Sequence, residues 1–130
     1  MKFRYKKLAL DTVRPVIPIG ITYKDRSVQY EVLVDSGADF CIFDAQIGEV
    51  LGIDLERGEK NKVGGITGTI EPFYIHSVVL DVGGIIFPAR VGFLKHIARL
   101  GYGVVGQKGF FDHFVVKFHR LKQEVELFQV

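Results

Sequence analysis

The sequence has a single cysteine, a single methionine, no tryptophan and little net charge. One cysteine, Cys41, excludes both an intrachain disulfide framework and a metal site built only from cysteines. The formal charge of +2 gives no electrostatic reason to expect nucleic acid or an anionic membrane as a partner. No run approaches the roughly 18 apolar residues of a membrane-spanning helix. With no targeting segment visible, we expect a cytoplasmic protein without metal or cofactor.

What the chain does contain is typical of a folded protein. Hydrophobic residues make up 48% and charged residues 25% of its 130 residues, which excludes intrinsic disorder and fits one domain. The 15 glycines follow no collagen-like period, so they favour a fold rich in strands and turns. A domain of this length can bury one core, but it is short for a large cleft between two lobes.

Alternating apolar residues predict an all-β fold, mainly antiparallel, closed like a barrel and carrying one or two short helices. The predicted strands are residues 17–21, 28–34, 41–43, 60–66, 69–82, 85–91, 102–106, 114–118 and 124–130. Asp44 is placed to cap a helix over residues 45–51, and a second short helix is predicted over 107–113. A helical turn is expected over residues 94–100. The basic residues at the start of the chain suggest a solvated arm over residues 1–16, followed by a domain over 17–130.

The informative segment is the one at Asp35-Ser36-Gly37-Ala38, directly after an apolar strand. A carboxylate at the edge of a core needs hydrogen-bond partners, which the Ser36 hydroxyl and the adaptable backbone of Gly37 can supply. Asp-Ser-Gly is also ordinary turn chemistry, so the tripeptide alone does not decide between a turn and a catalytic carboxylate.

Two further elements follow in a fixed order. A glycine-rich hairpin tip comes first, at Gly64-Gly65-Ile66-Thr67-Gly68, and Val104-Val105-Gly106 comes later, after a further strand. The pattern does not predict a phosphate-binding loop at this tip, because a strand rather than a helix follows it and no Lys-Ser/Thr pair comes after it.

These three elements together resemble the retropepsin-like aspartic peptidases, the family of the retroviral proteases. The resemblance covers about residues 17–130 and implies an acid-protease lobe with Asp35 as the catalytic residue. Ser36, Gly37 and Ala38 then support the active-site loop, and Gly64, Gly65, Ile66, Thr67 and Gly68 form a flap over the substrate. Ala38, Ile66 and Val105 are the implied pocket residues. Gln107 departs from the family, since many relatives carry arginine or a carboxylate after the aliphatic-aliphatic-glycine element.

One Asp-Ser-Gly per chain also implies a partner. Aspartic peptidases use two carboxylates that share one proton, so the resemblance implies a homodimer with Asp35 facing its twofold mate. The terminal segment 124–130 is the expected intersubunit sheet, and peptides or unfolded proteins are the expected substrates. Two alternatives stay open: a catalytically weak or silent module that dimerises or binds peptides, and a monomeric β-barrel with a chance Asp-Ser-Gly turn. Cys41, in an apolar strand, is expected to be a buried inert thiol.

Overall fold

A computed structural model of the chain describes residues 1–64, 70–97 and 101–130. One α-helix, α1 (Ala45–Val50), and one 3-10 helix (Leu55–Arg57) lie in these ranges, and neither is long and apolar enough to cross a bilayer. The strands are β1 (Lys2–Arg4), β2 (Lys6–Ala9), β3 (Thr12–Arg14), β4 (Val16–Tyr23), β5 (Arg26–Val34), β6 (Ile42–Asp44), β7 (Glu59–Gly64), β8 (Ile70–Val82), β9 (Ile85–Leu94), β10 (Gly103–Val105), β11 (Phe114–His119) and β12 (Glu124–Gln129).

The main sheet closes on itself. Its strand order is β4-β5-β10-β6-β9-β8-β7, and β4 also pairs with β8, so six strands form a barrel and β7 extends beyond it. Successive strand residues point to opposite faces, which puts Ile17, Ile19 and Ile21 of β4 inside, each at most 1% exposed. The rings of Phe43 and Phe93 pack edge to face within the same core. The predicted all-β, barrel-like lobe is confirmed.

The short strand β10 enters the sheet between β5 and β6. It runs parallel to β5, with Val105 beside Val34, and antiparallel to β6, with Val104 beside Ile42. Gly103 is needed at its start, because a Cβ there would lie 2.5 Å from the Tyr30 ring. The end of β5 is thereby fixed on both sides, by β4 and by β10, immediately before Asp35.

Helix α1 begins and ends as the sequence predicts. The Asp44 carboxylate accepts a hydrogen bond from the Gln46 amide at 2.8 Å, satisfying one of the free donors at the helix start. Gly52, with φ of +78°, takes the left-handed conformation that ends the helix. The helix therefore leads the chain from β6 towards the hairpin of β7 and β8.

The two ends of the chain meet in a separate three-stranded sheet of order β1-β12-β11. The prediction of a solvated arm is wrong for its backbone, since β1 pairs with β12 and β2 pairs with β3. Its basic side chains are exposed nonetheless, while Phe3 packs against the core. The hairpin of β11 and β12 is confirmed. Within the chain, β12 pairs with β11 along its whole length and with β1 over residues 124–126, and the intersubunit pairing expected of segment 124–130 stays a prediction.

The predicted second helix over 107–113 is also wrong, and the segment is a series of turns. Gly109 has φ of +93°, outside the helical region. The His113 amide donates to the Phe110 carbonyl three residues back and the Phe111 amide to the Gly106 carbonyl five back, so neither makes the four-residue bond of an α-helix. Of the expected turn over 94–100, residues 95–96 form a turn and 98–100 lie outside the described residues.

Candidate active site

Asp35 lies on the loop that leaves β5, and its side chain is half-buried. Its amide donates to the Val105 carbonyl at 3.0 Å, which extends the pairing between β5 and β10 by one step. The preceding residue, Val34, is 3% exposed. The carboxyl group is therefore attached to a backbone that two strands hold in place, at the boundary between core and solvent.

The loop supplies hydrogen bonds to the side chain and to the backbone carbonyl of Asp35. The Gly37 amide donates to Asp35 Oδ1 at 2.9 Å, and the Ala38 amide donates to the Asp35 carbonyl at 3.2 Å. A Cβ at Gly37 would lie 3.3 Å from Asp35 Oδ1, so a larger residue would crowd this contact. The bond from the Gly37 amide sets the orientation of the Asp35 carboxyl group, as the sequence predicts for a glycine at position 37.

Gly106 packs directly behind the loop. A Cβ at this position would lie 2.4 Å from the Ala38 carbonyl oxygen and 2.6 Å from that of Phe40. Both distances are far inside van der Waals contact, so only glycine allows the two backbones to approach this closely. The Val104-Val105-Gly106 element thus supports the Asp35 loop from below.

Gln107 and Lys108 hold the far side of the same loop. Gln107 Nε2 donates to the Ser36 carbonyl at 2.7 Å, and its amide donates to the Ala38 carbonyl at 2.8 Å. The Lys108 amide donates to the Asp39 carbonyl at 2.9 Å. We call this set of bonds the loop clamp. Sequence reasoning noted Gln107 only as a departure from the family and missed this contact.

Cys41 lies beneath the clamp and is fully buried. Its thiol lies 3.4 Å from the Lys108 carbonyl and 3.5 Å from the Gly106 amide. Burial raises the pKa of the Cys41 thiol to about 11, because the thiolate would lose its hydration there. The neutral thiol packs as part of the core, as the sequence suggests.

The hairpin of β7 and β8 carries the predicted flap. Its two strands pair without interruption from Glu59 with Ile75 to Gly64 with Ile70. Gly64 is the last residue of β7, whereas Gly65, Ile66, Thr67 and Gly68 lie outside the described residues.

The predicted pocket residues differ in their exposure. Ala38 is half-buried on the loop, and Val105 is 0% exposed beneath it. The neighbouring Val104 is half-buried, as the alternation along a strand requires. Ile66 lies outside the described residues.

A cavity of about 510 Å³ lies between the far end of the loop and β7. Phe40 and Lys108 line one side of it, and Asn61 and Arg90 line another. The Lys108 ammonium lies 5.0 Å from the centre of the Phe40 ring. No motif in the sequence predicts this cavity, because the cavity depends on the parallel bridge between Phe40 and Lys108, which are far apart in sequence.

Neither protein-family models nor curated protein sequences match the chain. Solved structures do match it. A retropepsin-like aspartic protease from Rickettsia conorii aligns with a TM-score of 0.64 at 14% identity, over 96% of this chain and 97% of that one. EIAV protease in complex with the inhibitor HBY-793 aligns with a TM-score of 0.55 at 20% identity, over 78% of this chain and 88% of that one. At these identities the matches show the fold, which is retropepsin-like, as the motifs predicted.

Proposed function

We propose that this chain is one half of an aspartic endopeptidase, with Asp35 of two copies forming the catalytic pair. The observation that carries the proposal is the Asp35 loop, held by the loop clamp within a retropepsin-like fold. In this reaction one carboxylate takes a proton from a water molecule, and the water attacks the scissile carbonyl. The other carboxyl group donates its proton to the carbonyl oxygen.

The chemistry requires a second copy of the chain, because one carboxyl group cannot be base and acid in the same step. Asp35 is the only aspartate of an Asp-Ser-Gly sequence here. Two such groups at close range cannot both be ionised, so the pair titrates as a unit. A homodimer with a twofold axis supplies two equivalent groups at once.

The free edge of β11 is our candidate for the dimer contact. β12 is internal in the terminal sheet and β1 has only three residues, whereas β11 has six and carries the exposed side chains of Val115 and Phe118. The His113 carbonyl accepts from the Val130 amide, so odd-numbered residues of β11 direct their backbone groups at β12. The even-numbered residues then direct theirs at the free edge.

A twofold pairing centred on Val116 fits this edge. It places Val116 beside its own mate and Phe114 beside Phe118 of the partner subunit, so apolar side chains meet on the inner face. No like charges oppose each other in this register. A six-stranded sheet across the dimer results, with Phe118, now 41% exposed, covered.

The proposed substrate is an extended peptide or a segment of unfolded protein. It lies between the Asp35 loop and the β7–β8 hairpin, where it pairs its main chain in the manner of an added strand. Gly64 to Gly68 form the flap that closes over it and excludes water. Ala38, Ile66 and the half-buried Val104 line the side-chain pocket, and Val105 supports them from beneath. A cytoplasmic location stays a prediction from the sequence.

The test compares the wild-type protein with Asp35→Asn and with the matched control Asp39→Asn in the same loop. Cleavage of an unfolded protein between pH 3 and 7 is followed by mass spectrometry, and the molar mass by light scattering. We expect a dimer that loses cleavage in Asp35→Asn and keeps it in Asp39→Asn. Equal cleavage by wild type and Asp35→Asn contradicts the proposal. A dimer that binds peptides but cleaves none at any pH supports the silent module instead.

A further inference from the structure

A second cavity, of about 490 Å³, lies against the first residues of β8 in the β7–β8 hairpin. None of its lining residues belongs to the Asp35 loop. It is enclosed by helix α1, the segment 53–56, the start of β8 and the segment 93–96. Its volume falls within the range of sites that hold small ligands or side chains. Nothing in the proposed peptidase reaction uses this cavity.

The floor of the cavity is apolar. Ala45, Ile53 and Phe93 are each at most 6% exposed, and Leu55 and Leu94 are half-buried. An apolar side chain that enters this cavity leaves water for a preformed apolar surface, which favours binding. The floor therefore selects a bulky apolar group.

The rim carries charge of mainly one sign. Glu49, Asp54, Glu56 and Glu71 surround the opening, against the single cation Lys95. Asp54 forms an ion pair with Arg57, whereas no described cation lies within ion-pair distance of the other three carboxylates. Since the three unpaired groups lie on α1, the 3-10 helix and β8, they surround the opening from three sides.

We infer that this cavity binds a peptide segment in which a bulky apolar side chain is flanked by lysine or arginine. The apolar side chain occupies the floor, and the flanking cations pair with Glu49, Glu56 and Glu71. A small amine could reach only one of these carboxylates at a time, whereas a chain with several cations reaches all three. The cavity is open to solvent along this rim, so that a peptide can enter and leave.

An occupant of the cavity would touch the flap-bearing hairpin. Glu71, Pro72 and Tyr74 belong to β8, the strand that leaves the proposed flap. The site is therefore separate from the catalytic cleft but lies on the same hairpin. The inference does not depend on cleavage and can hold for an inactive protein.

The experiment uses the Asp35→Asn protein, so that the probe is not cut. Binding of a peptide with fluorescein on its amino-terminal amine, fluoresceinyl-Lys-Leu-Arg-Phe-Lys-amide, is measured by fluorescence polarisation. The comparison probes are an acidic version with glutamate at the cationic positions, a version with glycine at the apolar positions, and phenethylamine as a competitor. We expect the first probe to bind and the other two peptides to bind at least about tenfold more weakly, with an affinity that falls as salt rises.

Charge reversal locates the site. In Glu49→Lys/Glu71→Lys the basic probe should bind at least about tenfold more weakly, and Glu49→Gln/Glu71→Gln should lie between that variant and the parent. The matched control Asp25→Lys changes an exposed acid in the β4–β5 turn and should bind as the parent does. The proposal is overturned by equal loss in Asp25→Lys, by no loss in either double variant, by no binding of the basic probe to the parent, or by phenethylamine displacing the probe as effectively as the unlabelled peptide does.

Discussion

The Asp35 loop and the edge strand β11 use their backbone hydrogen bonds in opposite ways. In the loop, Asp35, Gly37 and Ala38 all donate to named acceptors, and the Gln107 side chain holds the carbonyl of Ser36. In the terminal sheet, β11 pairs with β12 on one side and with no other described strand on its second side. The unpaired backbone groups of an edge strand can form hydrogen bonds with a strand of another chain. In the dimer that we propose, the Asp35 loop is the half of the site that one chain supplies, and the second chain pairs at the edge of β11.

The largest effect is expected from a substitution that removes a hydrogen-bond donor at the free edge of β11 and leaves its pairing with β12 intact. In Val116→Pro the lost amide is one that we assign to the free edge, where proline is tolerated in monomeric sheets. We expect a folded monomer without peptidase activity, measured by light scattering and cleavage assay. In the neighbouring variant Val115→Pro the lost amide faces β12, so thermal unfolding should occur at a lower temperature. A dimeric, active Val116→Pro protein would contradict the assignment of β11.

A large effect on the loop side is expected from Gly106→Ala. Its methyl group would collide with the Ala38 and Phe40 carbonyl oxygens, so the loop must shift. We expect a loss of about 2 kcal/mol in the free energy of unfolding, measured in urea, together with loss of cleavage. The control Gly84→Ala meets no atom within 4 Å and bears only the strain of its φ of +93°, about 1 kcal/mol. Similar losses in the two variants would mean that Gly106 has no special role behind the loop.

A smaller effect is expected from Gln107→Met, which removes the 2.7 Å bond to the Ser36 carbonyl and keeps the backbone bond to Ala38. The cost should be about 1 kcal/mol in the free energy of unfolding, since water can replace the exposed donor. If the bond orients the loop for catalysis, kcat should fall by about tenfold with little change in KM. Gln46→Met, on the exposed side of α1, serves as the control and should change neither quantity.

The smallest effect concerns Cys41 and appears only in alkali. Its folded pKa of about 11 lies above the 9.0 of an exposed thiol, because the buried thiolate is not hydrated. The contribution of this group to the free energy of unfolding is fully present below pH 9. It is lost as the pH rises towards 11, because the thiol of the unfolded chain releases its proton at lower pH than the folded one. By pH 10 the loss should be about 1 kcal/mol. The free energy of unfolding is measured in urea at several pH values. Above pH 9 it should decrease less steeply with pH for Cys41→Ala than for the wild type. Identical slopes would show that the thiol is already accessible in the folded protein.

Much of the barrel could be predicted because its signals are local. Period-two alternation identifies β4 and β5, and Asp44 marks the start of α1 through a hydrogen bond to a residue two positions away. The Asp35 loop was found for the same reason, since its glycine and its carboxylate are neighbours in sequence. Patterns of this kind need no knowledge of the rest of the chain.

The errors occur where distant segments compete for the same backbone groups. Residues 107–113 have the composition of a short helix, but the segment is anchored to the loop by the Gln107 and Lys108 amides and continues as turns. The four basic residues among the first seven indicate a solvated arm, yet β12 offers this segment a strand partner. Neither outcome can be deduced from the propensity of the segment itself. The loop clamp and the cavity lined by Phe40 and Lys108 could not be predicted either, because both depend on contacts between segments far apart in sequence.

The insertion of β10 between β5 and β6 also sets an order of events for a chain that is made from its amino terminus. β5, the Asp35 loop and β6 leave the ribosome well before residues 103–108 exist. Until that later segment arrives, the loop lacks the backbone acceptor for its Asp35 amide and the side chain that holds Ser36. Contacts between such distant parts of a sequence form slowly. A nascent chain would therefore expose an unassembled loop, and its carboxylate would take its final position only when synthesis of the domain is almost finished.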